Sequence, residues 1–243
     1  MTTLLEVIKL HKSFGGVHAV NDVSFTIEQG EILGLIGPNG SGKSTIVNLI
    51  AGTYTPESGN ILFEGSSIRP LSIARRAKLG IGRTFQTPKT FVGLTVFQSV
   101  NTIALQKHSF ENAAKRADEI LDLTGLLSLR NLSSEKLPIE KRKWLDLARI
   151  LAIDPKIIMM DEVMAGLNPA EMTESMELVK RINRGGISIL FIEHVMKAVV
   201  GLCHRVIVLN EGKLLCEGIP KDVMDNGDVI KAYLGKGYRR AKD

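Results

Sequence analysis

The segment at residues 37–45, Gly-Pro-Asn-Gly-Ser-Gly-Lys-Ser-Thr, constrains the fold of this 243-residue chain more than any other feature. It matches the phosphate-binding pattern G-x-x-x-x-G-K-[ST] at every specified position. The apolar run at residues 31–36 predicts a buried strand before the loop, and residues 45–50 predict the first turns of a helix after it. Because the pattern requires this strand, loop and helix context, the sequence predicts an α/β protein that binds a nucleoside triphosphate.

Different residues of this loop are expected to bind different parts of the nucleotide and its metal ion. Its glycines let the backbone bend tightly and point N–H groups at an anion, which the positive end of the following helix also attracts. Lys43 is expected to reach the β- and γ-phosphates, and Ser44 to hold Mg²⁺. The alternative, a glycine-rich turn with an accidental lysine, does not account for the flanking strand and helix. The predicted nucleotide-binding residues of the loop are Gly37, Pro38, Asn39, Gly40, Ser41, Gly42, Lys43, Ser44 and Thr45.

The composition suits one large α/β domain, with or without an inserted subdomain, because a chain with 44% hydrophobic residues can bury a substantial core. No stretch approaches the roughly 18 consecutive apolar residues of a membrane helix, and the N-terminus lacks the features of a signal peptide. We therefore expect a cytosolic protein unless a partner holds it at a membrane. Cys203 and Cys216 are too few and too far apart for a disulfide framework, so we expect reduced packing residues.

The charge balance does not predict a nucleic-acid-binding protein. The net charge is +5, but only 5% of residues are aromatic and the basic residues are scattered in short groups. The groups at residues 75–78, 141–143 and 239–242 are expected to be solvated faces. This balance also suits a protein that works beside an anionic inner leaflet.

The order of hydrophobic patterns predicts a nucleotide-binding core with two additions. Alternating residues at 5–10 and 17–27 predict an N-terminal antiparallel β subdomain, and residues 94–132 change to helical spacing. Further helix is predicted from Trp144 to Ala152. The remaining predicted strands are residues 59–63, 156–160 and 187–192, followed by a closing hairpin over 206–215. We predict a single domain, 1–243, with a mostly parallel sheet; residues 1–86 and 139–243 form the core with its β subdomain, and residues 87–138 form the inserted α-helical subdomain.

Polar residues follow two of the predicted parallel strands. Asp161 and Glu162 end the strand at 156–160, as in a Walker B element, so Asp161 is expected to hold Mg²⁺ and Glu162 to polarise an attacking water. His194 follows the strand at 187–192 and can donate a hydrogen bond to a γ-phosphate oxygen. Gln86 becomes a candidate ligand of metal and water if its loop lies under the phosphates.

These elements together resemble the ATP-binding subunits of ABC transporters over essentially the full chain. Within that family the chain is most similar to the larger ATPase subunit of branched-chain (hydrophobic) amino-acid importers. The residues that carry the resemblance are Phe14-Gly-Gly16, Gly37 to Thr45, Arg83-Thr-Phe-Gln86, Asp161-Glu162, Ala165-Gly-Leu-Asn-Pro169, Ile192-Glu-His194 and Ala232-Tyr-Leu-Gly235.

The resemblance implies a role for each matching position. Phe14 would stack on adenine, Gln86 would sense the γ-phosphate, and Glu162 with His194 would promote hydrolysis of ATP. Residues 87–91 would lie near the groove that receives a helix of the membrane subunit. The resemblance also implies a peripheral location on the cytoplasmic face of the inner membrane. Implied partners are a second ATP-binding subunit in a head-to-tail dimer, transmembrane permease subunits and, indirectly, an extracytoplasmic solute-binding protein.

One family element is degenerate in this chain. The signature Leu-Ser-Gly-Gly-Gln falls at Leu137-Pro-Ile-Glu-Lys141, where only the leucine is retained. Pro138 has neither a hydroxyl nor an N–H group, and Glu140 would place negative charge near a phosphate. Because the family places each ATP between the Walker motifs of one chain and the signature of the other, this half-site should be weak. We therefore expect an asymmetric heterodimer with a partner that carries a good signature.

Other functions remain open at this point. A regulatory or weakly hydrolysing nucleotide-binding subunit would explain the degenerate signature, although it has no need of Glu162 or His194. A soluble ABC protein of translation or DNA repair usually has two cassettes or a long coiled-coil insert, and a GTPase has an Asn-Lys-x-Asp motif; the sequence shows none of these. Urea or small amides remain alternative cargoes to branched-chain amino acids.

Overall fold

The computed structural model describes residues 2–84 and 91–234. The strands are β1 (Thr3–Phe14), β2 (Val17–Glu28), β3 (Ile32–Ile36), β4 (Ser58–Phe63), β5 (Ser66–Ser67), β6 (Ile81–Arg83), β7 (Ile157–Asp161), β8 (Ser188–Ile192), β9 (Arg205–Asn210) and β10 (Lys213–Gly218). The helices are α1 (Lys43–Ala51), α2 (Ile73–Leu79), α3 (Val96–Ala104), α4 (Phe110–Leu123), α5 (Ile139–Leu151), α6 (Pro169–Arg184), α7 (Met196–Leu202), α8 (Pro220–Asp225) and α9 (Gly227–Leu234).

The strands form two sheets. The N-terminal sheet has the order β2-β1-β4-β5, and its pairs are antiparallel. The central sheet has the order β10-β9-β3-β8-β7-β6 and is parallel except for the closing β9–β10 hairpin. These sheets confirm the predicted α/β class, with a mostly parallel core sheet and an antiparallel β subdomain.

The central sheet is buried on both faces because successive side chains of a strand point to opposite sides. In β3, Ile32 and Ile36 pack into the cluster that contains α3 to α7, whereas Leu33 and Leu35 pack into the cluster formed with α1 and the N-terminal sheet. Strands β7 and β8 alternate in the same way. The near-continuous apolar runs of the sequence therefore supply two cores.

The helical part between β6 and β7 contains α3 and α4. Ala113, Ala117, Ile120 and Leu121 are fully buried on one face of α4, which confirms the predicted helical spacing. The next helix, α5, begins at Ile139 rather than at the predicted Trp144. Pro138 precedes it with φ fixed at −54° and has no N–H group that could remain unpaired.

Two basic groups depart from the prediction of solvated faces. Residues 141–143 are half-buried, and the Lys143 ammonium donates to the Ala165 carbonyl oxygen at 2.7 Å. The group at residues 239–242 lies outside the described residues.

The group at residues 75–78 departs from the prediction at one position. Arg75 and Lys78 are exposed, as expected of a solvated face, but Arg76 is only 2% exposed. Its guanidinium donates to the carbonyl oxygens of Leu49 and Ile50 in the last turn of α1, at 2.6 and 2.8 Å. The prediction is wrong at this position because the negative end of a helix dipole provides a buried partner for a cation.

Two smaller expectations are also addressed by the structure. Cys203 is buried and Cys216 is half-buried, and both are free thiols, as predicted. Within the described part of the chain, no helix has both the length and the apolar character needed to span a bilayer.

Candidate nucleotide-binding site

The phosphate loop connects the carboxyl end of β3 to the first residue of α1, as the sequence predicts. Its tight path requires glycine at two positions. A Cβ atom on Gly37 would lie 2.2 Å from the Leu209 carbonyl oxygen, and one on Gly42, where φ is +106°, would lie 2.3 Å from the Ala19 carbonyl oxygen. The loop is therefore seated directly on the backbone of β2 and β9.

A cavity of about 340 Å³ opens above this loop. Residues from the loop, from the end of β7 and from the segment after β8 meet there, because the carboxyl ends of neighbouring parallel strands lie at the same edge of a sheet. The lining residues are Ala19, Asn39, Gly40, Ser41, Gly42, Lys43, Ser44, Thr45, Glu162 and His194. The structure thus brings together most of the residues that the sequence predicts for phosphate binding and hydrolysis.

Lys43 places a cation at the base of the cavity. The side chain is 6% exposed, and its ammonium group donates to the carbonyl oxygens of Gly37 and Pro38 at 2.7 and 3.0 Å. Burial lowers the pKa of Lys43, while the carboxylates of Glu162 and Asp161 act in the opposite direction. The ammonium is held by neutral carbonyls inside the loop, so an anionic phosphate would be a stronger partner.

Asp161 is the buried carboxylate of the site, at 3% exposure. Its backbone N–H donates to the hydroxyl of Thr84 at 3.0 Å, and one carboxylate oxygen lies 3.8 Å from a guanidinium nitrogen of Arg83. Burial raises the pKa of Asp161, and the Arg83 cation opposes this shift. Arg83 also donates to the Asn48 side-chain oxygen at 2.6 Å, which connects β6 to α1.

Glu162 and His194 form a direct contact at the mouth of the cavity. The Nε2 atom of His194 lies 2.8 Å from a carboxylate oxygen of Glu162. Adjacent strands bring them together, since the Glu162 backbone N–H donates to the Ile192 carbonyl at 2.9 Å. Glu162 has φ of +52°, which is strained for a residue with a side chain. Such strain is typical of functional sites.

The other predicted residues lie around this centre. Phe14 ends β1 outside the cavity lining, is 43% exposed, and meets Tyr54 edge-on with 5.2 Å between ring centroids. Its ring face is approached by the ammonium of Lys12 at 5.3 Å. Gln86 and residues 87–90 lie outside the described residues. Adenine stacking on Phe14 therefore stays a prediction.

The degenerate signature lies at the start of α5. Leu137 is buried, Pro138 immediately precedes the helix, and Ile139 is 61% exposed. Glu140 occupies the first helical turn, and the Lys141 ammonium lies 3.8 Å from a carboxylate oxygen of Glu174. Lys141 thus already has a carboxylate neighbour within its own chain.

The oxygen atoms present fit a Mg²⁺ ion that is shared with a substrate phosphate. Mg²⁺ usually takes one or two carboxylates together with phosphate oxygens and waters. Asp161 supplies a buried carboxylate and Ser44 an exposed hydroxyl, whereas the described residues contain no group of three or more His, Cys, Asp or Glu that would hold a metal alone. The buried hydroxyl of Ser41, which lines the same cavity, has no hydrogen-bond partner among the described atoms.

Sequence patterns assign no site role to Arg83, to Glu193 or to Lys143, whose ammonium contacts the main chain directly after Glu162. Arg83 lies three residues before Gln86 in the chain, and its contact with Asp161 depends on β6 pairing with β7. Glu193 precedes His194 and is 1% exposed. The one local signal for Glu193 is its position directly after an apolar strand. A carboxylate there is either exposed to solvent or buried with hydrogen-bond partners.

A phosphate loop, an acidic strand end and a helical unit inserted into a mostly parallel sheet define an ATP-binding cassette of the P-loop NTPase class. The family of ABC transporters matches residues 20–165. This chain belongs to that family, whose cassettes hydrolyse ATP.

Relatives of known role are similar over nearly the whole chain. The high-affinity branched-chain amino acid transport ATP-binding protein LivG of Salmonella typhimurium is 37% identical over 251 residues, covering 96% of this chain and 98% of that protein. BraF of Pseudomonas aeruginosa, which has the same description, is 34% identical with the same coverage.

Solved structures agree with the fold. The ADP conformation of MJ1267, an ATP-binding cassette of an ABC transporter, has a TM-score of 0.88 at 29% identity, covering 97% of this chain and 100% of that one. The dimeric, post-hydrolysis cassette MJ0796 with ADP and Pi has a TM-score of 0.80 at 26% identity, covering 89% and 99%.

Proposed function

We propose that this chain is the ATP-hydrolysing subunit of an ABC importer for branched-chain or similar amino acids. The contact between Glu162 and His194 at 2.8 Å, at the mouth of the phosphate-loop cavity, is the observation that carries the proposal. A protein that only binds nucleotide gains nothing from this pair. The names of LivG and BraF, which are similar along their full length, support amino acids as the cargo.

The geometry supports a defined role for each side chain in hydrolysis of ATP. The loop N–H groups and Lys43 would neutralise the phosphates, and Phe14 would provide a face for adenine. Glu162 would accept a hydrogen bond from the attacking water, and the imidazole of His194 would hold the γ-phosphate and keep Glu162 oriented. Ser44, Gln86 and Asp161 would hold Mg²⁺, which, when bound, neutralises developing charge on the phosphates.

The proposed assembly is a head-to-tail heterodimer bound to two permease subunits at the cytoplasmic face of the inner membrane, served by an extracytoplasmic solute-binding protein. The dimeric MJ0796 cassette supports dimerisation as such. Pro138 and Glu140 support the hetero form, because they replace a hydroxyl and a small, flexible residue at the position that would face the partner's nucleotide.

Turnover of ATP tests this proposal. The chain is purified alone and mixed with its proposed second ATPase subunit, and each preparation is compared with Glu162→Gln. We expect little activity alone and activity in the mixture that falls at least about 100-fold in the variant. Normal turnover by the homodimer, unchanged in Glu140→Gly, would refute the heterodimer.

A regulatory subunit is the second candidate function, favoured by the degenerate signature at residues 137–141. It predicts ATP binding without turnover in both preparations. The cargo is tested separately in vesicles that contain the complete transporter. Uptake of labelled leucine, but not of urea, is the expected result, and the reverse would favour an amide importer.

A further inference from the structure

The turn that follows the proposed catalytic carboxylate, residues 163–168, is held from two sides by charged side chains. We name it the post-glutamate turn. It begins directly after Glu162, whose left-handed backbone conformation is strained, and ends at Asn168, which caps α6. A strained residue persists only where its surroundings fix it. The contacts of this turn therefore bear on the position of Glu162.

Lys143 holds the turn from α5. Its ammonium donates to the Ala165 carbonyl oxygen at 2.7 Å and lies 3.4 Å from the Val163 carbonyl oxygen. These carbonyls lie on both sides of Met164, so one cation contacts the turn at two points. A lysine four to five residues after the start of a helix is ordinarily a solvated surface group. Here it is half-buried and directed at main-chain oxygens.

Glu193 holds the same turn from the end of β8. One carboxylate oxygen accepts the Met164 N–H at 2.7 Å, and the other accepts the N–H of His194 at 3.3 Å. One buried carboxylate thus connects the post-glutamate turn to the backbone of the histidine that contacts Glu162. Burying a carboxylate is costly, and here its partners among the described residues are backbone N–H groups rather than a cationic side chain.

We infer that Lys143 and Glu193 are positioning residues, which fix the post-glutamate turn and thereby hold Glu162 against His194 in the geometry needed for hydrolysis. The inference rests on the proposed function. It adds that α5, the helix that begins at the degenerate signature, is mechanically connected to the proposed catalytic carboxylate through Lys143. Val163 and Met164 also anchor the turn by apolar burial, so loss of one charged contact should displace the turn without unfolding the protein.

The first test compares Lys143→Met with Lys143→Arg in the full-length chain, mixed with the proposed second ATPase subunit so that turnover can be measured. Methionine keeps the length of the side chain but removes the donor, whereas arginine keeps a cationic donor. Lys180→Met is the control, because Lys180 pairs with Glu177 on the outer surface of α6. We expect kcat to fall about tenfold in Lys143→Met, with KM for ATP within about twofold, and substantial recovery in Lys143→Arg.

The second test uses Glu193→Gln, which has the same shape. An amide offers one acceptor and one donor group, so one of the two backbone N–H groups loses its partner. Hydrogen–deuterium exchange should become about tenfold faster in the peptide containing residues 163–168, the expected result of losing one hydrogen bond to a charged group. The NMR signal of the His194 ring, assigned with His194→Gln, should shift in both this variant and Lys143→Met.

These measurements separate the inference from the proposed function. Exchange and the His194 signal need no hydrolysis, so unchanged values in both variants overturn the inference even if wild-type protein is active. A changed signal with unaltered kcat also overturns it, because the turn would then not position the carboxylate for reaction. Wild-type protein that binds ATP without turnover refutes the proposed function, while a shifted His194 signal still supports the positioning contacts.

Discussion

Arg76 connects α2 to the far end of the helix that carries the phosphate loop, and its removal should destabilise the protein strongly. The guanidinium donates to four main-chain carbonyls: those of Leu49 and Ile50 in α1, and those of Leu71 and Arg69 before α2. These bonds range from 2.6 to 3.3 Å. We choose Arg76→Met, because methionine keeps apolar volume in the buried site but supplies no donor.

The magnitude follows from the two shortest bonds. A hydrogen bond to a charged group contributes about 1.5–3 kcal/mol, so the bonds to Leu49 and Ile50 give about 3–6 kcal/mol. Burial lowers the pKa of Arg76, which shows that desolvation of the cation opposes part of this gain. We therefore expect a loss of about 3 kcal/mol in the free energy of unfolding.

Urea unfolding measured by circular dichroism is the assay. With a slope of about 3 kcal/mol/M, the midpoint should fall by about 1 M. Arg75→Met is the matched control, since it makes the same change one residue earlier on an exposed face of α2. Equal midpoints for the two variants would refute the reasoning. A second variant, Gly52→Ala, should also lower the urea midpoint, because a Cβ at this residue would lie 2.8 Å from the Arg76 Nε atom.

Three further predictions concern the site and the thiols. Gly42→Ala should abolish ATP binding measured by calorimetry, because φ is +106° and the added Cβ would meet a main-chain oxygen at 2.3 Å; retained affinity would contradict the loop geometry. Phe14→Leu should weaken binding of ATP and GTP alike by about fivefold, the loss of roughly 1 kcal/mol of aromatic stacking, with unchanged kcat at saturation. Burial raises the pKa of Cys203 to about 12, so its alkylation in folded protein should stay slow up to about pH 9 and become fast in urea, whereas the half-buried Cys216 should react first by mass spectrometry.

The strands of the core sheet, and the edge of that sheet where the nucleotide site lies, could be predicted from the sequence. Apolar runs and the polar residues after them indicated the same arrangement. The apolar runs at residues 156–160 and 187–192 are each followed by polar residues, and parallel pairing brings those ends together without further information. The contact between Glu162 and His194 follows from this pairing. Strand order itself was not predicted, because it depends on contacts between segments far apart in the chain.

Residues whose environment is decided by other elements could not be predicted. Arg76 belongs to a basic run that is typical of a solvated helix face, and only the packing of α2 against the end of α1 places it inside. Lys143 and Glu193 likewise become informative only once α5 and β8 lie on either side of the post-glutamate turn. A single sequence contains the charge of each residue but not the carbonyl or N–H group that it meets.

The position of β3 has a consequence for how the protein is made. This strand carries the phosphate loop, and both of its neighbours in the sheet, β8 at residues 188–192 and β9 at residues 205–210, come from the last third of the chain. During translation, the strand therefore leaves the ribosome long before either neighbour exists, with the N–H and C=O groups of both edges unpaired. The nucleotide site is completed only near the end of synthesis. A chain that ended before β9 would contain the phosphate-loop sequence but would lack the Leu209 backbone on which Gly37 of the loop is seated.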